Sequence, residues 1–166
     1  MNLGSSHVIV EKKGKVLLTQ RQDVPIWVIP GGRIEKGESP KDTAVREFAE
    51  EVGYKIAVET LIGEYPIQNS QRKKYLYLGK IMGGKKIKSA EVRNLGWFKL
   101  ESLPNPMTLY EKARINDFKS YLVDGEKIRR PDNFDMRKEL LSQMTNPLLL
   151  FAVFLNLAKA KLKKNK

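Results

Sequence analysis

Between Ile26 and Gly53 the hydrophobic period changes from that of a strand to that of a helix, and a proline followed by two glycines marks the join. Ile26-Trp27-Val28-Ile29 reads as extended chain, and Pro30 disfavours a helical conformation at Ile29. Gly31 and Gly32 permit backbone conformations closed to other residues, so the strand ends in a special loop. Ser39-Pro40-Lys41-Asp42 then starts a helix: Ser39 is suited to the N-cap, Pro40 to the first turn, and Asp42 to the positive end of the dipole. Gly53 supplies the stop. Ala44, Phe48 and Val52 recur every four residues and form the stripe that must be buried. Glu47, Glu50 and Glu51, at i, i+3 and i+4, share a different face. A strand, a glycine loop and a helix that is apolar on one side and acidic on another predict an α/β fold.

The surrounding segments supply the sheet. His7 to Val10 and Val16 to Thr19 read as strands joined by a hairpin turn at Lys12 to Lys15, with His7 at a strand edge. Extended segments follow at 55–58, 61–65, 74–82 and 92–100, with Gly83-Gly84 as the turn between the last two. Pro104 and Pro106 end the sheet region. A helix is expected from about 107 to 122, a turn at Asp124-Gly125, a further helix from about 133 to 144 and a last one from near Asn146-Pro147. The division that follows is one domain over 1–122 and a helical extension over 123–166, packed on the same domain and ending in a lysine-rich tail.

Composition narrows the chemistry. With no cysteine among 166 residues, disulfide scaffolds, thiolate metal sites and cysteine nucleophiles are excluded. The single histidine excludes multi-histidine metal sites, so carboxylates are the remaining ligands. Residues 1–6 have neither a basic nor an apolar signal region, and the apolar run from Leu148 to Ala158 is too short to span a bilayer; the expectation is a cytoplasmic protein with no membrane role. The net charge of +12 is unevenly placed: residues 1–54 hold eight basic and eight acidic residues, and residues 55–166 hold twenty-three against eleven. An acidic centre beside an anion-attracting surface fits a polyanionic substrate.

Three glutamates on one helical face repel one another, and a cluster beside a glycine loop is most readily stabilised by divalent cations. Oxygen-only ligation points to Mg2+, with Mn2+ as a substitute. Read in order, the segment is Gly32, five residues, Glu38, seven residues, then Arg46-Glu47-Phe48-Ala49-Glu50-Glu51-Val52-Gly53-Tyr54. This resembles the signature box of the MutT-like Nudix hydrolases, and a chance match of all seven fixed positions has odds on the order of one in a million. Phe48 and Tyr54 stand where aliphatic residues are more usual, but both are bulky and largely apolar. The resemblance covers roughly residues 5–122, including the stretch from Leu95 to Pro104.

The resemblance implies an α/β/α sandwich with a mixed sheet, here with added C-terminal helices. It also implies Mg2+-dependent hydrolysis of the diphosphate bond of a nucleotide or nucleoside diphosphate derivative. Glu50, Glu51 and the carbonyl of Gly31 are then metal ligands, and Glu47 is a ligand and the first candidate for general base. Arg46 orients the box carboxylates. Glu91, six residues before Trp97, is the candidate for a ligand or base from outside the box, with Glu64 as its competitor. On the substrate side the candidates are Arg21, suited to a phosphate, Gly32, Glu38, which also serves the loop or the outer metal shell, and Trp27, which can stack a base or belong to the core. Relatives are commonly homodimers.

Two rival readings accompany this one. From Arg72 to Lys88 there are seven basic residues, no acid, and two tyrosines, Tyr75 and Tyr77, on one strand face. Such a surface suits single-stranded nucleic acid, hence removal of a pyrophosphate or cap from an RNA 5′ end. The other rival is a non-catalytic module that senses a nucleotide.

Overall fold

The structure, a computed structural model, describes residues 4–67 and 69–131. In chain order its elements are β1 (Gly4–Lys12), β2 (Lys15–Arg21), β3 (Trp27–Val28), β4 (Gly31–Arg33), α1 (Pro40–Val52), β5 (Tyr54–Pro66), β6 (Lys73–Gly84), β7 (Val92–Lys99), α2 (Leu109–Asp124) and β8 (Ile128–Arg129). The strands run in the order β3-β2-β1-β6-β5-β8, with β4 paired to β1 and β7 to β2. β1 and β6 are parallel, as are β5 and β8, and the other pairings are antiparallel, so the sheet is mixed.

Alternation along the strands sorts side chains to two faces, and each face carries one helix. Val8, Val10 and Leu17 pack with Ala44, Phe48 and Val52 of α1. Ile9, Val16 and Leu18 pack with Ile115 and Phe118 of α2. The expected stripe of α1 is therefore its buried face, and helix–sheet–helix layering results. The caps also follow the local chemistry: Ser39 Oγ accepts from Asp42 N at 3.1 Å, and Gly53 closes the helix in the left-handed conformation at φ 88°.

Several expectations are corrected. His7 is half-buried and not at a sheet edge, because β1 is flanked at that point by Gly31 of β4 and Leu76 of β6. The segments 55–58 and 61–65 form one strand, whose register shifts by bulges at Lys55/Ile56, Val58/Thr60 and Leu61/Gly63 and so breaks the simple alternation. Gly83 and Gly84 are paired strand positions opposite Lys55 and Tyr54, and the connection to β7 lies beyond them. The prolines do not end the sheet, since β8 adds to β5 after α2. α2 begins two residues later than expected, at Leu109 behind the N-cap Thr108. The helices expected over 133–144 and from 146, and the lysine-rich tail, lie outside the described residues.

Candidate active site

The acidic side of α1 faces the loop that precedes it. Gly31 holds φ 145°, and a Cβ there would collide with the carbonyl oxygen of Ser6 on β1. A Cβ on Gly32 would collide with the carboxylate of Glu47. The two glycines thus let β4 lie against β1 and let the Glu47 carboxylate reach the backbone. From the far end of the acidic face, Glu51 Oε2 accepts the Gly31 N–H at 3.1 Å.

Arg46 ties the remaining carboxylates together. Its Nε and Nη2 donate to Glu38 Oε1 at 2.6 Å and Oε2 at 2.9 Å, a bidentate pair. Its Nη1 donates to Glu47 at 2.9 Å and to Glu50 at 3.1 Å, and Nη2 also reaches the Arg33 carbonyl at 3.2 Å. Glu38 further accepts from Thr43 Oγ1 at 2.8 Å and Glu35 N at 3.2 Å, so it braces the loop between β4 and α1. Arg46 holds the carboxyl of Glu38 down at about 2.

Burial raises the proton affinity of two acids of α1, Glu47 and Glu51. Glu50 is exposed. Burial raises Glu47 despite the bond from Arg46, with the charges of Glu50 and Glu91 adding to the effect. Burial pushes Glu51 up to about 8, against the pull of the Gly31 N–H and with further repulsion from Glu47 and Glu91. Glu51 is also the common wall of two clefts. One, of about 270 Å³, is lined by Arg21, Gln22, Asp23, Ala90 and Glu91, and the other, of about 450 Å³, includes Lys86, Lys88 and Arg93.

These donors fit a hard divalent cation in kind: carboxylate oxygens, two of them on groups whose charge burial disfavours, beside a backbone that glycine leaves accessible. Among the described residues, no group of three His, Cys, Asp or Glu side chains is gathered into an ion cage as it stands. Nη1 of Arg46 bonds Glu47 and Glu50 together, so a cation has to compete with that nitrogen for the same oxygens.

The other candidates fall as follows. Glu91 is exposed, but it shares a cleft with Glu51, and its loop is fastened to β2 by the Gln22 N–H to Glu91 carbonyl bond of 2.8 Å. Arg21 lines the same cleft and is engaged by Asp23 through bonds of 2.8 and 2.6 Å. Trp27 packs edge-on to Phe98, with centroids 4.7 Å apart, against the α2-side cluster, whereas the glutamates project from α1 on the other face. Glu64 pairs with Lys73 at 3.1 Å on the strands β5 and β6.

Sequence reasoning missed Asp23, although an acid two residues past the end of a strand is placed to turn back on Arg21. It also missed Glu111, whose position three residues after Thr108 reads as an ordinary capping acid. Its carboxylate instead crosses to β3's continuation, accepting the Ile29 N–H at 2.9 Å two residues before Gly31.

The NUDIX domain matches residues 2–120. A Bacillus subtilis (strain 168) protein provisionally named an 8-oxo-dGTP diphosphatase is 38% identical over 122 residues, which is 73% of this chain and 82% of that protein. The ADP-ribose pyrophosphatase of Methanocaldococcus jannaschii is 29% identical over 117 residues, 66% of this chain and 69% of that one. Among solved structures, an ADP-ribose pyrophosphatase from Streptococcus suis superposes with a TM-score of 0.65 at 23% identity, covering 76% of this chain and 96% of that one. A mixed sheet between two helices, with a glycine loop leading into an arginine-braced acidic helix, defines a hydrolase of this type. The chain belongs to the Nudix hydrolase family.

No described helix is long and apolar enough to cross a membrane.

Proposed function

We propose that the protein hydrolyses a diphosphate bond in a nucleotide or other nucleoside diphosphate derivative, with Mg2+ or Mn2+ as cofactor. The observation that carries this reading is the grouping of Glu47 and Glu51, two carboxyls raised by burial, with the Gly31-Gly32 backbone on a face braced by Arg46. The activities for which the two relatives are named support a nucleotide derivative as substrate.

Glu50, Glu51, Glu47 and the Gly31 carbonyl would hold the cation, with Glu91 contributing from the neighbouring loop. When bound, the cation neutralises phosphate oxygens and makes a bound water more acidic. Glu47 takes the proton of the attacking water: burial strengthens it as a base, and Arg46 fixes its orientation. Arg46 and Glu38 act as positioning residues, keeping the loop between β4 and α1 against the helix. Arg21 binds a phosphate of the substrate by exchanging it for the Asp23 carboxylate.

A second reading, removal of pyrophosphate from an RNA 5′ end, is favoured by Tyr75 and Tyr77, whose rings lie 6.4 Å apart at 17° in the basic segment. Tyr77 also packs on the α1-side cluster, which keeps this reading second.

The test is turnover of a nucleotide panel with Mg2+. Glu51→Gln is expected to lower kcat by about a hundredfold or more while the protein stays folded. Unchanged turnover in that variant would remove Glu51 from the mechanism.

A further inference from the structure

The two clefts that meet at Glu51 differ in charge. The smaller contains Asp23, Glu91 and Glu51 against Arg21, and Arg21 is already paired with Asp23. The larger contains Lys86, Lys88 and Arg93, with Glu51 as the one acid in its wall. None of these three cations makes an ion pair with a described residue. Nor is there an acid anywhere from Arg72 to Lys88 to offset them.

The lysines are held at this place by the fold. The Ile87 N–H donates to the Val52 carbonyl at 3.2 Å, fastening the segment after β6 to the C-terminal end of α1. A Cβ on Gly53 would collide with the Lys85 carbonyl and would lie 2.7 Å from the Ile87 side chain, so the glycine that ends α1 also admits this segment. Lys86 and Lys88 flank the fastened Ile87, and Arg93 comes from β7. Three cations collected round one concavity repel each other in its absence of a partner, and their summed field is focused into the cleft. At about 450 Å³ the cleft falls in the range of small-molecule sites, roughly 300–1,000 Å³.

We infer that this cleft is a subsite for additional phosphate, so that the preferred substrates carry three or more consecutive phosphates and not a diphosphate joined to a neutral group. The inference rests on the reading that the diphosphate bond is broken beside Glu51. An anionic arm extending from that bond, beyond the phosphate that Arg21 binds, is attracted toward Lys86, Lys88 and Arg93. The shared chemistry is a linear triphosphate, whether on a free nucleotide or on a 5′-triphosphorylated RNA.

The experiment compares wild type with Lys86→Gln/Lys88→Gln and with Arg93→Gln. Substrates are dGTP, a 5′-triphosphorylated oligoribonucleotide and ADP-ribose, all with Mg2+. In parallel, calorimetry measures binding of an imido-linked triphosphate analogue that cannot be hydrolysed at the substituted bond. The double variant is expected to raise KM for the triphosphates by about tenfold per lysine removed, with kcat held and ADP-ribose within twofold. Analogue affinity falls in step. A larger loss for the oligoribonucleotide than for dGTP assigns the subsite to RNA ends, and an equal loss assigns it to free nucleotides. Equal effects on dGTP and ADP-ribose, or none on either with turnover present, would overturn the subsite. If no substrate is cleaved but the analogue binds wild type and not the lysine variant, the hydrolytic reading fails and the subsite stands.

Discussion

Replacing Glu111 by alanine should damage this protein more than any exposed charge would, because one buried carboxylate serves two partners. Glu111 is 5% exposed; its Oε2 takes the Ile29 N–H at 2.9 Å and its Oε1 takes Arg114 Nη1 at 3.2 Å. Arg114 is 1% exposed, and its Nε and Nη2 have no hydrogen-bond partner among the described residues. Glu111→Ala therefore leaves a buried N–H unpaired, which costs about 1–3 kcal/mol. It also strands a buried guanidinium, at about 3–5 kcal/mol. The two share the same carboxylate and do not simply add, so the expected loss is about 3–5 kcal/mol, or roughly 10–15 °C in Tm for a chain of this size. Urea denaturation followed by Trp27 and Trp97 fluorescence reads it directly. Glu111→Gln keeps an acceptor for Ile29 and should lose about half as much. Glu111→Leu combined with Arg114→Met removes both charges and should recover most of the loss of the single variant. The reasoning is refuted if Glu111→Ala stays within about 1 kcal/mol of wild type, or if the double variant is as unstable as the sum of its singles.

Two further outcomes follow from the same geometry. Gly32→Ala places a methyl against the Glu47 carboxylate, which Arg46 holds in place, so kcat/KM should fall by about ten- to a hundredfold while Tm shifts little; unaltered kcat/KM would show that Glu47 needs no such placement. His7 is held well below its ordinary pKa by burial and by the charges of Arg114 and Lys74, with Arg114 in turn paired to Glu111, while its Nδ1 lies 3.4 Å from the Ile29 carbonyl. The unfolded chain takes up this proton near pH 6.5 and the native one at lower pH, so His7 contributes stability above about 6.5 that is lost as pH falls below it. Denaturation between pH 7.5 and 5 should show that decline, with a shallower slope in His7→Gln, and parallel slopes would contradict it.

What could be read from the sequence is what short-range chemistry decides. The helix over 40–52, its caps and its buried stripe follow from Ser39, Gly53 and the four-residue spacing, and the structure has them at those positions. The two-sided layering is an implication of the family resemblance, and in the structure Val8 and Val10 pack toward α1 while Ile9 packs toward α2. Long-range pairing was less legible. Nothing local tells Gly83 and Gly84 that they face Lys55 and Tyr54, because glycines at a strand end and in a turn look alike. At the site, the three glutamates and Arg46 are visible through their spacing, and their common position on α1 follows from helix geometry alone. Asp23 on Arg21 and Glu111 on Ile29 are not, since each depends on where another element is brought by the fold. The charge excess beyond residue 54 is plain in the sequence, but only the fastening of Ile87 to α1 puts part of it beside Glu51.

The most direct test of the account is product identification after incubating the protein with Mg2+ and a nucleotide panel in ¹⁸O-labelled water, with Glu50→Gln as the comparison. Mass spectrometry is expected to find a nucleotide shortened at a diphosphate bond, with one labelled oxygen on a phosphate product, from wild type and almost none from the variant. Intact nucleotides from both proteins, or the same labelled products in equal yield from Glu50→Gln, would contradict the claim that the α1 carboxylates carry diphosphate hydrolysis.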